Sequence, residues 1–346
     1  RYLRRLLRET PQPISLGVAK ARMQAVVGFY RGILQGGLVR ESAIANGPYE
    51  ARAIGIPVVN SIGLQYIKQV QTSNLTIKAP RRDTVLGAIK DGGNLRPLTE
   101  EEQAIVLAEL EHYGNRAFQL MCFVALSTGA RIQTVCTLRV KHVKEMLNFK
   151  SVRGEILLKV GPGTDIDTKN DVNYRLHFPC KLAEILGEYV ASEEHAERRA
   201  KSFYGKSDEN YVFLARNGSA YFTSKQEIID RQEGTFSQRI SPKDRVTFTS
   251  QKGFAVRNYI QRLIRDIRRK HQDFNHFRFH DLRATFGMNF VRDADQAGVR
   301  DVREPLRSRM GHKNFQTTQL YLNYDETNEA VLNVTTYHHD RLNRLV

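Results

Sequence analysis

The run FQLMCFVALSTGA, residues 118–130, is the most apolar stretch in this chain of 346 residues. It is too short for a bilayer, whose core takes about 20 apolar residues as a helix. It therefore predicts a helix buried at the centre of a globular domain. A capping-box signature stands just upstream: Thr99, with Glu102 three residues later, opens LTEEEQAIVLAEL. A hydrophobic content of 41% supplies enough apolar side chains for a substantial core. The length fits two domains or one large one.

The charge balance narrows the class of partner. Fifty-three basic residues against 37 acidic ones give a formal net charge of +16. A field of that sign favours a polyanion, nucleic acid ahead of an acidic membrane surface. No signal-peptide pattern or membrane span is found, so no membrane partner is expected and a cytoplasmic location is. Cys122, Cys136 and Cys180 are odd in number, widely spaced and form no CxxC. They point to a reducing compartment without structural zinc. The chain begins at Arg1 and not at Met, which suggests that the natural N-terminus has been removed.

Apolar periodicity gives a coarse map. Residues 1–70 read as helical: Met23, Val26, Val27, Tyr30 and Leu34 share a face of AKARMQAVVGFYRGILQ, and NSIGLQYIKQVQT is a second, weaker helix. Residues 73–97 hold two prolines, a Gly-Gly and a basic cluster. The domains are accordingly placed at 1–80, a helical DNA-binding unit, and at 98–346, with 81–97 as linker. In the second domain EILLKV (155–160) and VNYRLHF (172–178) form a β-hairpin with a long turn. Residues 180–200 are helical, YVFLA (211–215) is strand-like, and 216–252 is loop-rich. The helix FAVRNYIQRLIRDIRRKH turns Val256, Ile260, Leu263, Ile264 and Ile267 inward.

Several chemistries fail on their motifs. YGKS (204–207) lacks the glycine of a P-loop, Ala200 standing in its place, and GPGTDI lacks the third glycine of a dinucleotide fingerprint. YHHD (337–340) reads better as a surface polar cluster than as a metal site. No HExxH or Cys/His ligand set appears. The expected cofactor is none, neither metal nor nucleotide.

Four separated segments carry reactive groups. Arg131 follows Gly129 in STGARIQT. Lys169 lies in the hairpin loop. HFRFHDLRATFGM gathers two histidines and two arginines within eight positions, His280 and Arg283 among them. His312 in MGHKNF precedes Tyr321 by nine positions. Singly, each has an ordinary structural reading as a solvated, capping or surface-paired group. In this order, TGxR, a hairpin lysine, HxxR, GH and a tyrosine nine residues on, the chain resembles the tyrosine recombinase (phage integrase) family over roughly residues 97–325. TGxR is a weak signal, whereas HxxR followed by GHxxxxxxxxY is strong. Many members carry an acid three places after the first arginine, and Thr134 stands there in this chain.

The resemblance implies a fold that is mainly α with a small antiparallel β-sheet (α+β), arranged as a two-domain DNA clamp. It implies a site-specific recombinase that cleaves and rejoins DNA strands through a 3′-phosphotyrosine and a Holliday junction, for a mobile element or phage. Arg131 and Arg283 would brace the phosphate with planar, permanently charged forks. His280 would take the tyrosine proton or donate to a phosphate oxygen, and His312 would donate to that oxygen. Lys169 would act as general acid and Tyr321 as nucleophile, ahead of Tyr324, whose spacing from His312 does not fit. Lys20, Arg22, Arg31, Arg81, Arg82 and Arg257 are the candidate phosphate-backbone contacts. The partners would be duplex recombination sites, three further protomers in a tetramer with the tail 325–346 docked on a neighbour, and accessory DNA-bending proteins, in the bacterial nucleoid. A type IB topoisomerase or telomere resolvase would use the same residues. A catalytically inert DNA-binding regulator and a metal-dependent nuclease are the readings from other classes.

Overall fold

The computed structural model describes residues 14–39, 49–59, 64–77, 88–149, 151, 154–234 and 249–324. The chain divides into two compact units between Thr84 and Val85. The fold is mainly α with three small two-stranded antiparallel sheets among the described residues.

The first unit holds helix α1 (Leu16–Gln35), whose N-cap Ser15 accepts a hydrogen bond from the Val18 N–H. Its inward face is Ala19, Met23 and Val27, four residues apart, and Val26 faces out. The second helix expected here is instead a β-hairpin. Strand β1 (Ala51–Val59) pairs antiparallel with β2 (Gln65–Ser73), Ala51 opposite Ser73 and Val59 opposite Gln65. The physical reason lies in the side chains. Ile54, Ile56 and Val58 alternate by two, and β2 is rich in Tyr66, Ile67, Val70 and Thr72, branched or aromatic residues that suit a pleated surface.

The second unit opens with residues expected to be linker. Its first strands, β3 (Ile89–Lys90) and β4 (Asn94–Leu95), form a tiny hairpin. Ile89 and Leu95 are each only 1% exposed, so 89–97 belongs to the packed unit. The Arg96 N–H donates to Asp281 and the Leu98 N–H to Thr285, which ties the segment to the HDLR helix. Composition misleads here: Gly-Gly serves a tight turn between two short strands, with Gly92 at φ 72°.

Helix α2 (Glu100–Glu111) starts on the predicted capping box, Thr99 Oγ1 accepting from the Glu102 N–H at 3.1 Å and Glu102 accepting from the Thr99 N–H at 3.0 Å. Helix α3 (Arg116–Thr128) is the apolar run, buried along most of its length at the centre of the main core. Next come α4 (Ile132–Cys136), α5 (Val140–Asn148) and the predicted hairpin of β5 (Glu155–Val160) and β6 (Tyr174–Pro179), with Val160 opposite Tyr174. Helices α6 (Cys180–Ala191) and α7 (Glu193–Ala200) follow.

Residues 211–215 make isolated bridges and not a strand, Tyr211 to Arg139 and Leu214 to Ala220. The polar stretch beyond contains helix α8 (Lys225–Glu233), capped by Ser224. Both depart from expectation because a buried cation organises them. Arg139 is fully buried beneath the rings of Tyr204 and Tyr211 and donates to Ser224 Oγ at 2.9 Å. Helix α9 (Phe254–Arg268) buries the five predicted apolar residues. Helix α10 (Asp281–Gln296) packs on α3. Helix α11 (Arg303–Met310) and the helical residues 315–324 complete the unit. The tail 325–346, with YHHD, lies outside the described residues.

Candidate active site

Each motif residue is placed by a local feature of its sequence. Gly129 ends α3 in the left-handed conformation at φ 67°, and Arg131 is the N-cap of α4. A side chain at position 129 would collide with the Phe286 ring, so the TGAR turn needs glycine twice, for its dihedral and for the approach of α10. His280 is the residue at the N-terminal boundary of α10, and Arg283 sits in its first turn. Gly311 ends α11 at φ 62° and delivers His312. Tyr321 projects from helical residues 315–324. Gly287 on α10 makes room for its ring, since a Cβ there would strike it. This explains why ATFGM is apolar: Ala284, Phe286 and Met288 join Met310 and Tyr321 in one buried cluster that backs the polar site.

Four of the six predicted catalytic residues meet at one carboxylate that the sequence reading missed. Asp91, in the β3–β4 turn, is 3% exposed. Its Oδ1 accepts from Arg131 Nη2 at 2.6 Å. Its Oδ2 accepts from Arg283 Nε at 2.6 Å and from the Tyr321 hydroxyl at 3.2 Å, and lies 3.2 Å from His312 Nε2. Arg283, itself 1% exposed, also donates to the carbonyls of Gly129 at 2.6 Å and Met310 at 2.8 Å. The other His312 nitrogen, Nδ1, lies 3.0 Å from Thr318 Oγ1. Tyr324 is half-buried at the edge of the same apolar cluster.

The electrostatics follow from burial among these charges. Burial alone would favour the neutral acid at Asp91. The Arg283 guanidinium, the His312 hydrogen bond and Arg131 outweigh it and hold the carboxyl far below the usual range. Burial and then the Asp91 charge push the Tyr321 hydroxyl well above an ordinary phenol. Burial, reinforced by Arg283, pushes His280 down to about 4, so its imidazole is neutral at neutral pH. Arg131 Nε and His280 Nε2 are buried with no hydrogen-bond partner among the described residues.

Lys169 stands in the loop between β5 and β6, at the start of a 3₁₀ turn in which Asn170 and Asp171 have positive φ. The loop is fastened from two sides. Thr134 Oγ1 donates to the Asp167 carbonyl at 3.0 Å, and the Lys225 N–H donates to the Asp167 carboxylate at 3.0 Å. Thr134 thus holds the lysine loop, and the acid that pairs with Arg131 comes from residue 91. Lys169 Nζ packs against Gly92, beside the His280 ring. Lys169, Arg131, His280, Gly92, Arg257 and Arg278 line one cavity of about 500 Å³.

Of the predicted DNA contacts, Arg257 lines this cavity beside three of the predicted catalytic residues, Arg131, Lys169 and His280. Arg278, in the same HFRFHDLR stretch and not among the predicted contacts, lines the cavity too. Lys20, Arg22 and Arg31 lie on α1 in the first unit, where Lys20 and Arg31 border a groove between α1 and the β1–β2 hairpin. Arg81 and Arg82 lie outside the described residues. The hint of Asp91 in the sequence was slight, an acid in a Gly-Gly turn shortly before the capping box.

Among solved structures, the chain is similar to the Tn1549 transposon integrase in complex with a circular intermediate DNA, at 18% identity and a TM-score of 0.41, over 65% of this chain and 60% of that one. It is similar to XerA recombinase at 17% identity and a TM-score of 0.38, over 65% and 59% of the two chains. A lambda integrase dimer bound to a core site shows 14% identity and a TM-score of 0.31, over 65% and 58%. The chain thus spans about 60% of the length of the structures it matches. No curated protein matches it in sequence. The family model for phage integrases matches residues 98–328, a span that contains Arg131, Lys169, the HDLR helix, His312 and Tyr321 in their expected order, and the chain belongs to the phage integrase family.

Proposed function

We propose that this protein cleaves and rejoins duplex DNA through a covalent bond between Tyr321 and a 3′ phosphate. The observation that carries the proposal is the meeting of Arg131, Arg283, His312 and the Tyr321 hydroxyl on one anionic group, with Lys169 and His280 against the adjoining Gly92. Two guanidinium forks and a histidine suit the negative charge that grows on the non-bridging oxygens of a phosphodiester under attack.

In the proposed step the Tyr321 oxygen bonds to phosphorus and the bond from phosphorus to the 5′ oxygen breaks. Neutral His280 takes the phenol proton, and Lys169 Nζ gives a proton to the departing oxygen. One ester replaces another, so the reverse attack by a free 5′ hydroxyl reseals the strand. Arg257 and Arg278 at the rim of the cavity, with Lys20, Arg22 and Arg31 on α1, would contact the duplex backbone. Exchange between two duplexes would make the enzyme a recombinase of a mobile element or phage. It would act as a tetramer on paired sites through a Holliday junction, with DNA-bending accessory proteins. Relaxation or hairpin closure within one duplex would make it a topoisomerase or telomere resolvase.

The direct test is incubation with nicked duplex from the flanks of its own locus, in buffer containing EDTA. A covalent adduct is expected, and peptide mapping should place the DNA on Tyr321. Absence of any adduct, with binding intact, would favour an inert regulator. Joints between two different duplexes would separate recombination from topoisomerase action.

The general-acid role has its own signature. Lys169→Ala should cleave ordinary DNA about 10²–10⁴-fold more slowly, the usual contribution of a positioned proton donor. A substrate whose leaving 5′ oxygen is replaced by sulfur should restore the rate, because a thiolate leaves without a proton. A variant equally slow on both substrates would assign Lys169 to binding.

A further inference from the structure

We propose that Asp91 is a built-in stand-in for the scissile phosphate: its carboxylate fills the place where the DNA phosphate must lie, and must leave before Tyr321 can attack. This rests on the reading of Tyr321 as the nucleophile. Its two oxygens do what two non-bridging phosphate oxygens would do. One accepts from Arg131 Nη2 and the other from Arg283 Nε, with His312 close by.

An acid that merely braced the arginines from behind would touch guanidinium groups and leave the nucleophile alone. Here Asp91 Oδ2 lies 3.2 Å from the Tyr321 oxygen. A reacting phosphorus must come within about 3–3.5 Å of that same oxygen. The carboxylate and the phosphate therefore claim one volume. They also repel each other as like charges in a site with little water to screen them.

The hairpin that carries Asp91 is built to hold firm and yet release the acid. Ile89 and Leu95 anchor its two strands in the apolar cluster beside Tyr321. The turn between them is Asp91-Gly92-Gly93, and Gly92 already has φ 72°. Two glycines let the Asp91 backbone swing without moving the anchors. While the acid is in place, the buried arginines are neutralised and Tyr321 keeps its proton, so the empty enzyme is both stable and inert.

The probe is inorganic phosphate, followed by thermal unfolding of the full chain. Asp91→Asn keeps the shape of the side chain and removes the charge. A site that is mostly self-occupied weakens the apparent affinity of its ligand by the fraction that is open. Phosphate should therefore stabilise Asp91→Asn saturably, with a midpoint at least about tenfold lower than in the wild type. The same variant carrying Arg131→Ala should lose the effect, which locates the anion. Equal midpoints in wild type and Asp91→Asn would overturn the proposal, because phosphate would then bind beside Asp91 and not in its place.

Should Asp91→Asn not fold, amide exchange in the wild type decides. Saturating phosphate should speed exchange at residues 89–95 as the turn is released, and unchanged or slower exchange there would overturn the proposal. Neither measurement uses DNA. A protein that formed no adduct on Tyr321 would fail the functional reading while these results still reported on the anion site.

Discussion

Tyr321→Phe is expected to bind DNA as the wild type does and to form no covalent adduct at all. The substitution removes one oxygen, the one that would become the ester. The ring stays, and with it the packing over Gly287 and against the His312 ring, whose centroid is 5.6 Å away. The lost hydrogen bond to Asp91 should cost about 1 kcal/mol, a small change because that carboxylate keeps both arginines. Denaturing gels after incubation with nicked duplex would read the adduct, and mobility shift would read binding. Tyr324→Phe should retain the adduct. An adduct that survives in Tyr321→Phe and disappears in Tyr324→Phe would move the nucleophile to position 324.

Arg283→Ala should be the most damaging substitution to both stability and cleavage. Arg283 is 1% exposed and donates to Asp91 and to the carbonyls of Gly129 and Met310. Removing it strips Asp91 of one of its two arginine partners and leaves two carbonyls without that donor. Breaking a buried ion pair from one side costs about 3–5 kcal/mol. Cleavage should fall by a further factor of roughly 10²–10³ in whatever fraction folds, the cost of losing one preorganised donor to a developing anion. Arg131→Ala should share the loss of cleavage at a smaller cost in stability, because its side chain is 17% exposed and makes one charged contact. Urea unfolding beside the adduct assay separates the two effects. Near-normal cleavage by folded Arg283→Ala would remove that residue from the site.

Lys169 bears on a different part of the proposed step, the proton given to the leaving oxygen, and it lies on the loop between β5 and β6. Its loop is held by Thr134 and by the N-terminus of α8. Thr134 departs from the acid that many members of the family carry there, and Lys225 lies in the stretch 216–252 expected to be loop-rich. Both residues hold the loop that carries Lys169.

Local order carried most of the fold. The apolar run of α3, the capping box at Thr99 and Glu102, the β5–β6 hairpin and the five inward residues of α9 each depend on neighbours within a few positions, so periodicity alone reveals them. Where periodicity was ambiguous it misled. Ile54, Ile56 and Val58 alternate as a strand, within residues 1–70 that read as helical as a whole. The helix α8 was hidden because its apolar content is low, and its docking depends on the buried polar network around Arg139, Tyr211 and Ser224.

The site divides along the same line. The order TGAR, hairpin lysine, HDLR, GH and Tyr321 is written in the chain, since each motif carries its own turn or helix start. The point at which they meet is not. Asp91 reaches Arg131, Arg283, His312 and Tyr321 across 40, 192, 221 and 230 residues of sequence. A carboxylate's partners are chosen by the packing that buries it, and no local pattern records a contact made only after α3, α10, α11 and the β3–β4 turn have closed around one another.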